Sequence, residues 1–157
     1  MNFFDYNTLD MRINFPKDFA EFVTLLEKHK VEYLVVGGYA VGFWGHIRFT
    51  GDLDIWLKPS AENAVKILSA ISDFGFASLK LKKEDFTTVG NVIQLGYPPL
   101  RIDLLNDIDG VTFDECYKNK IVESFDGFTY KFISYDDLIK NKKSSGRNKD
   151  LADLDNL

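Results

Sequence analysis

The stretch YLVVGGYAVGFWGHIRFTGDLDIWLK, residues 33–58, constrains the fold more than any other part of the chain. Its β-rich run from Glu32 to Val36 stops at Gly37-Gly38, and Tyr39 to His46 then reads as a helix. A second strand, Leu53 to Lys58, is opened by Asp52-Leu53-Asp54 and ended by Pro59. Glycine lets a backbone approach another group closely, and a helix N-terminus offers free N–H groups and the positive end of a dipole. A triphosphate fits such a turn, although a glycine pair there is by itself more often structural. Alternate residues of a strand share a face with Cβ atoms roughly 6–7 Å apart, so Asp52 and Asp54 can converge on a hard cation. Taken alone, the same pair is also what a polar strand start looks like.

The rest of the chain supplies elements to pack around that unit. Phe15 to Lys30 reads as a first helix, with Pro16 in its first turn and Phe19, Phe22, Val23 and Leu26 at helical spacing. Ser60 caps a helix to about Phe74. Asn91–Leu95 and Arg101–Leu105 flank the turn-rich Gly96-Tyr97-Pro98-Pro99 and form a hairpin. Thr112–Asn119 is a short helix, and Ile121–Phe125 with Thr129–Ile133 flank Asp126-Gly127, a hairpin signal. Ser134 with Asp137 opens a helix to about Ser144, and Asn148 caps a last one. The expected class is α+β (α/β-like), a mixed sheet of about five strands flanked by helices. The chain reads as a single domain, residues 1–157, with a short C-terminal helical segment, 134–157.

Two further features bear on chemistry. Asp103 shares a strand face with Arg101, among apolar neighbours. A charge there needs compensation, from Arg101 or from a metal. The segment 140–149 holds Lys140, Lys142, Lys143, Arg147 and Lys149 with no acid. It is either a solvated helix face, or a phosphate clamp near the site or a grip on a polyanionic acceptor.

The pattern Gly37-Gly38, helix, Arg48-x-Thr50-x-Asp52-x-Asp54 resembles the nucleotidyltransferases of the polymerase-β-like superfamily. It is closest to small bacterial and archaeal members, including abortive-infection and toxin–antitoxin enzymes. Asp103 matches their third acid. The tail from Leu138, with Lys142, Arg147, Lys149, Asp150 and Asp153 at its polar positions, is similar to their closing motif. The resemblance implies a nucleotidyltransferase fold and two-metal transfer of a nucleoside monophosphate from a nucleoside triphosphate, ATP or CTP, to a hydroxyl acceptor. Asp52, Asp54 and Asp103 would be catalytic and hold two Mg2+ ions, with Mn2+ as substitute. Gly37, Gly38, Arg48, Thr50, Lys142 and Arg147 would bind the nucleotide and its phosphates. The acceptor would be RNA such as tRNA, a protein or a small molecule, and a cognate antitoxin or a second copy would complete its site. The wider superfamily usually has Gly-Ser where this chain has Gly37-Gly38, so phosphate contacts there fall to backbone N–H groups.

Composition narrows the field. With 24 acids against 19 bases and a net charge of -5, a broad nucleic-acid-coating surface is disfavoured. One cysteine, Cys116, excludes an internal disulfide framework. Residues 1–15 lack a basic start followed by an apolar run, and Tyr33–Gly45 is too short for the about 20 residues of a membrane span. A cytoplasmic setting without membrane contact is expected. His29, His46 and Cys116 read as structural, and the aromatics as core, with Tyr39 and Trp44 the exceptions able to meet a nucleobase. The rival class is a non-catalytic nucleotide-binding or regulatory partner protein.

Overall fold

The computed structural model describes residues 15–157. Residues 1–14, on which most of the leader expectation rests, lie outside it. In chain order the elements are α1 Lys17–Lys28, β1 Tyr33–Val36, α2 Gly37–Phe43, β2 Asp52–Leu57, α3 Ala61–Ile71, α4 Lys83–Thr87, β3 Val92–Leu95, β4 Arg101–Leu105, α5 Phe113–Lys118, β5 Ile121–Phe125, β6 Phe128–Phe132, α6 Tyr135–Ser145 and α7 Asn148–Asn156. The sheet has six strands rather than five, in the order β3-β4-β2-β1-β6-β5. It is mixed: β2 runs parallel to β4 and β6 to β1, while β1–β2, β3–β4 and β5–β6 are antiparallel. The class expected from the sequence is therefore the one observed.

Side-chain alternation splits the core into two layers. Tyr33 and Val35 of β1, Leu53, Ile55 and Leu57 of β2, and Ile102 and Leu104 of β4 pack on the apolar stripes of α1 and α3. The opposite face carries Leu34, Val36 and Trp56, covered by Phe113 and Cys116 of α5 and Leu138 of α6. Asn63, almost fully buried, ties the edge of this arrangement. It accepts from the Glu32 N–H and donates to the Glu32 and Lys58 carbonyls, clamping the start of β1 to the end of β2.

Several boundaries differ from expectation. The glycines open α2 instead of preceding it: Val36 is still extended, and Gly37 takes φ +66° to turn the chain directly into the helix. Asp126 and Gly127 both have positive φ, the condition for the tight turn that an Asp-Gly pair supports. α3 stops at Ile71, because the chain widens into a turn over Ser72–Phe76 where Gly75 has φ +99°. The cap of α7 is Arg147, not Asn148, since the Asp150 carboxylate reaches back to the Arg147 N–H at 3.2 Å. The short helix α4 lies in a stretch where no element was expected.

Candidate active site

The alternation that buries Leu53 and Ile55 sends Asp52 and Asp54 to the other face of β2, and the same rule places Arg101 and Asp103 beside them on β4. Parallel pairing sets Asp52 opposite Arg101 and Asp54 opposite Asp103. Val36 at the end of β1 lies opposite Asp54 on the other side. The three acids thus meet where β1 ends and β2 and β4 begin. Gly37 sits directly over Asp54: a Cβ there would collide with the Asp54 carboxylate. The glycine is required both by its positive φ and by this approach.

Arg101 lies between two of the acids. Its Nε and Nη2 donate to Asp103 Oδ1 and Oδ2 at 2.8 and 3.1 Å, and Nη2 also donates to Asp52 Oδ2 at 2.8 Å. The compensation left open between Arg101 and a metal is therefore supplied, in part, by Arg101. Asp54 makes no hydrogen bond or ion pair to another side chain among the described residues. Desolvation in the cleft pushes its carboxyl up to about 6, Asp103 and Asp52 add to the rise, and Lys149 and Lys142 oppose it. Among the described residues no three acid, His or Cys side chains are already gathered tightly enough to hold a metal, since Asp52 and Asp103 are turned onto Arg101. The donor set nonetheless fits a hard divalent cation. Three carboxylates face one guanidinium, and a carboxylate oxygen with two lone-pair sites keeps one free beyond its arginine bond.

A cleft of about 490 Å³ opens over these acids, lined by Gly37, the three aspartates, Asp107 and Asp109 after β4, and Asn141, Lys142, Ser145, Arg147 and Lys149. A larger cleft, about 610 Å³, lies on the opposite face between α1, the 72–76 turn and the β3–β4 link. Its lining is mainly apolar and holds only scattered acids, so the smaller, polar cleft is the chemical one.

The basic segment divides into closed and open charges. Lys142 is 3% exposed, with its ammonium 3.1 Å from Asp150 and 3.3 Å from Asp153. It was expected to meet phosphate directly, but its charge is committed within the protein. Arg147 bonds Asp150 through Nε at 2.7 Å and Nη2 at 3.2 Å, yet its side chain remains two-thirds exposed at the cleft. Hydrogen bonds from Arg147, Ser145 and Lys142 hold the Asp150 carboxyl far below its ordinary range, outweighing the rise that burial alone would cause. Lys149 lines the cleft exposed and has no ion pair among the described residues. In the sequence it stands in the basic run and at a polar position of the closing motif, without a role of its own; its position two residues after Arg147 in a short helix is the signal that marks it.

Arg48, Thr50 and Gly38 stand behind the cleft and do not line it. Arg48 forks onto Asp153 at 2.8 and 3.1 Å. Thr50 packs against Gly38, where any Cβ would collide with its side chain, and its hydroxyl donates to the Asp52 carbonyl at 3.4 Å. Direct phosphate contact by Arg48 does not match this placement. Tyr39 is 8% exposed and stacks on Phe15 at 5.0 Å, and Trp44 donates its indole N–H to the Ile133 carbonyl at 2.9 Å. Neither is presented to a nucleobase. His29 bonds Asp73 at 2.7 Å, His46 lies 3.8 Å from Asp153, and Cys116 is buried with its thiol pushed up to about 12 by burial and by Asp137. No described helix is long and apolar enough to cross a membrane.

The fold is similar to the crystal structure of a Thermotoga maritima protein assigned by inference as a nucleotidyltransferase. Identity is 17%, 86% of each chain is covered and the TM-score is 0.58, a likeness of fold. No curated protein matches the chain. Residues 16–157 match the family described as "Nucleotidyl transferase of unknown function (DUF2204)", and the chain belongs to that nucleotidyl transferase family.

Proposed function

We propose that the chain transfers a nucleoside monophosphate from a nucleoside triphosphate, ATP or CTP, to a hydroxyl acceptor and releases pyrophosphate. The observation that carries this is the register of Asp54 against Asp103, with Asp52 two residues away and the Gly37 turn directly above. Asp52, Asp54 and Asp103 would hold two Mg2+ ions, or Mn2+, which supply charge stabilisation at the α-phosphate and acidify the attacking hydroxyl. Gly37, which lines the cleft, offers its backbone N–H to the terminal phosphates, and Gly38 backs the turn from behind. Lys149 and the exposed face of Arg147 add positive charge on the side of the cleft facing Asp54. Arg101 keeps the Asp52 and Asp103 carboxylates oriented. Asp103 accepts the proton of the acceptor hydroxyl. The acceptor oxygen then attacks the α-phosphorus in line and the bond to the bridging oxygen breaks. Most of the rate comes from positioning and charge stabilisation.

The cleft is of a size for one nucleotide, so the acceptor approaches from its rim. RNA, a protein or a small molecule serves in that place, within a toxin–antitoxin type system in the cytoplasm. A cognate antitoxin or a second copy completes the acceptor site. The test is transfer of α-labelled nucleotide to these acceptor classes, wild type against Asp54→Ala. The expected result is label transfer with pyrophosphate release by the wild type alone. A folded Asp54→Ala protein that transfers at the wild-type rate contradicts the proposal.

A further inference from the structure

The segment between α2 and β2 carries the approach to Asp52, yet it has no regular secondary structure from residue 46 to residue 51. Its apolar side chains do not anchor it, since Ile47 is 47% and Phe49 90% exposed. What ties it to the last helix, among the described residues, is charge. Arg48 forks onto Asp153 of α7, which is itself 1% exposed, and Asp153 takes a second cation from Lys142. The loop in turn packs on the glycine turn. A Cβ at Gly38 would strike Thr50 and lie 3.4 Å from Arg48 Nη1.

We propose that Arg48 and Asp153 are positioning residues: through this ion pair the last helix holds the 46–51 loop against Gly38 and so sets the shape of the phosphate cradle. The inference rests on the proposed nucleotide function for its purpose, but not for its geometry. A buried ion pair is weak evidence for stability, because the desolvation of both charges offsets much of their attraction. The forked, two-bond geometry gives direction instead. Arg48 points away from the cleft and toward α7, so it acts on a bound triphosphate through Gly38 and Thr50. It explains why an Arg-x-Thr pair precedes the acids in a chain whose arginine does not face the cleft.

The test uses the full chain with Arg48→Met, Asp153→Asn, their double variant and Arg48→Lys, at temperatures well below unfolding. Amide hydrogen exchange is followed in peptides covering residues 36–43 and 44–54, with β3 and β4 as internal reference. The single variants should speed exchange in those two peptides by about tenfold and leave the reference strands unchanged. Magnesium tripolyphosphate, followed by calorimetry, should bind about tenfold more weakly. The double variant should be no worse than either single one, and Arg48→Lys should recover part of the loss. Unchanged exchange in both peptides, or acceleration spread equally over β3 and β4, would overturn the positioning role. Wild-type protein that binds no tripolyphosphate would sink the nucleotide reading instead, while the exchange pattern still decides what the ion pair does.

Discussion

Two charge clusters lie within a few residues of each other, and they are built to opposite rules. In the network along one wall of the cleft, two acids, Asp150 and Asp153, meet three cations, Lys142, Arg48 and Arg147. Both carboxylates there only accept hydrogen bonds, and although burial pulls the Asp153 carboxyl up, Arg48, with Lys142, keeps it below its ordinary range. In the cluster under Gly37, three acids meet one cation, Arg101, and Asp54 is left without an ionic partner among the described residues. In the first cluster each acid is met by two cations, and the cluster serves architecture. The second gathers more acid than base in a cleft, which lifts the Asp54 carboxyl and suits a cation that arrives to share the charge.

Substitutions that sharpen this contrast run from large effects to small. Asp54→Ala should lower nucleotidyl transfer by at least about a thousandfold, or about 4 kcal/mol in the barrier, with an unchanged circular dichroism spectrum. Lys142→Met, in the first cluster, should cost stability instead. It takes one cation from two buried carboxylates, each of which keeps an arginine, and should cost about 1–3 kcal/mol in a denaturant titration.

Asp54→Asn probes the same carboxyl through pH. A carboxyl whose pKa is raised on folding binds its proton more tightly in the native state, so its penalty is absent below the unfolded value of 3.8, grows as pH rises from there to about 6 and is complete above. Without added metal, the variant should be more stable than wild type at pH 8, by on the order of 1–3 kcal/mol, and equal to it at about pH 3. Thermal melts at the two pH values decide this. Lys149→Ala should be the mildest. It should leave the melting temperature unchanged and weaken magnesium tripolyphosphate by about fivefold, near 1 kcal/mol in calorimetry.

The elements were legible where local signals are strong. The β5–β6 hairpin followed from Asp126-Gly127, α6 from Ser134, whose hydroxyl accepts from the Asp137 N–H at 3.2 Å, and the acid pair on β2 from simple alternation. Asp103 joined the pair only through the resemblance, since its own neighbours left Arg101 and a metal both open, and the structure sets it opposite Asp54. What could not be read was the destination of the cations. Lys142, Arg147 and Lys149 look alike in a basic run, and only the return of α7 across α6 buries the first, half-commits the second and leaves the third at the cleft. Arg48 misled for the same reason: its partner lies 105 residues away, and no local pattern announces a contact at that separation. The start of α2 at Gly37 was missed by two residues because glycine is a poor helix former, and tertiary demand for close approach to Asp54 overrides that preference.

The central claim is that the unbalanced acids and the glycine turn form one magnesium-dependent triphosphate site. Calorimetry with ATP, GTP, CTP and UTP, with and without magnesium, tests it on the wild type and on an Asp52→Ala/Asp54→Ala variant of confirmed fold. The account predicts binding of at least one nucleotide that needs magnesium and disappears in the variant. Binding that ignores magnesium, or that survives loss of both aspartates, would contradict it.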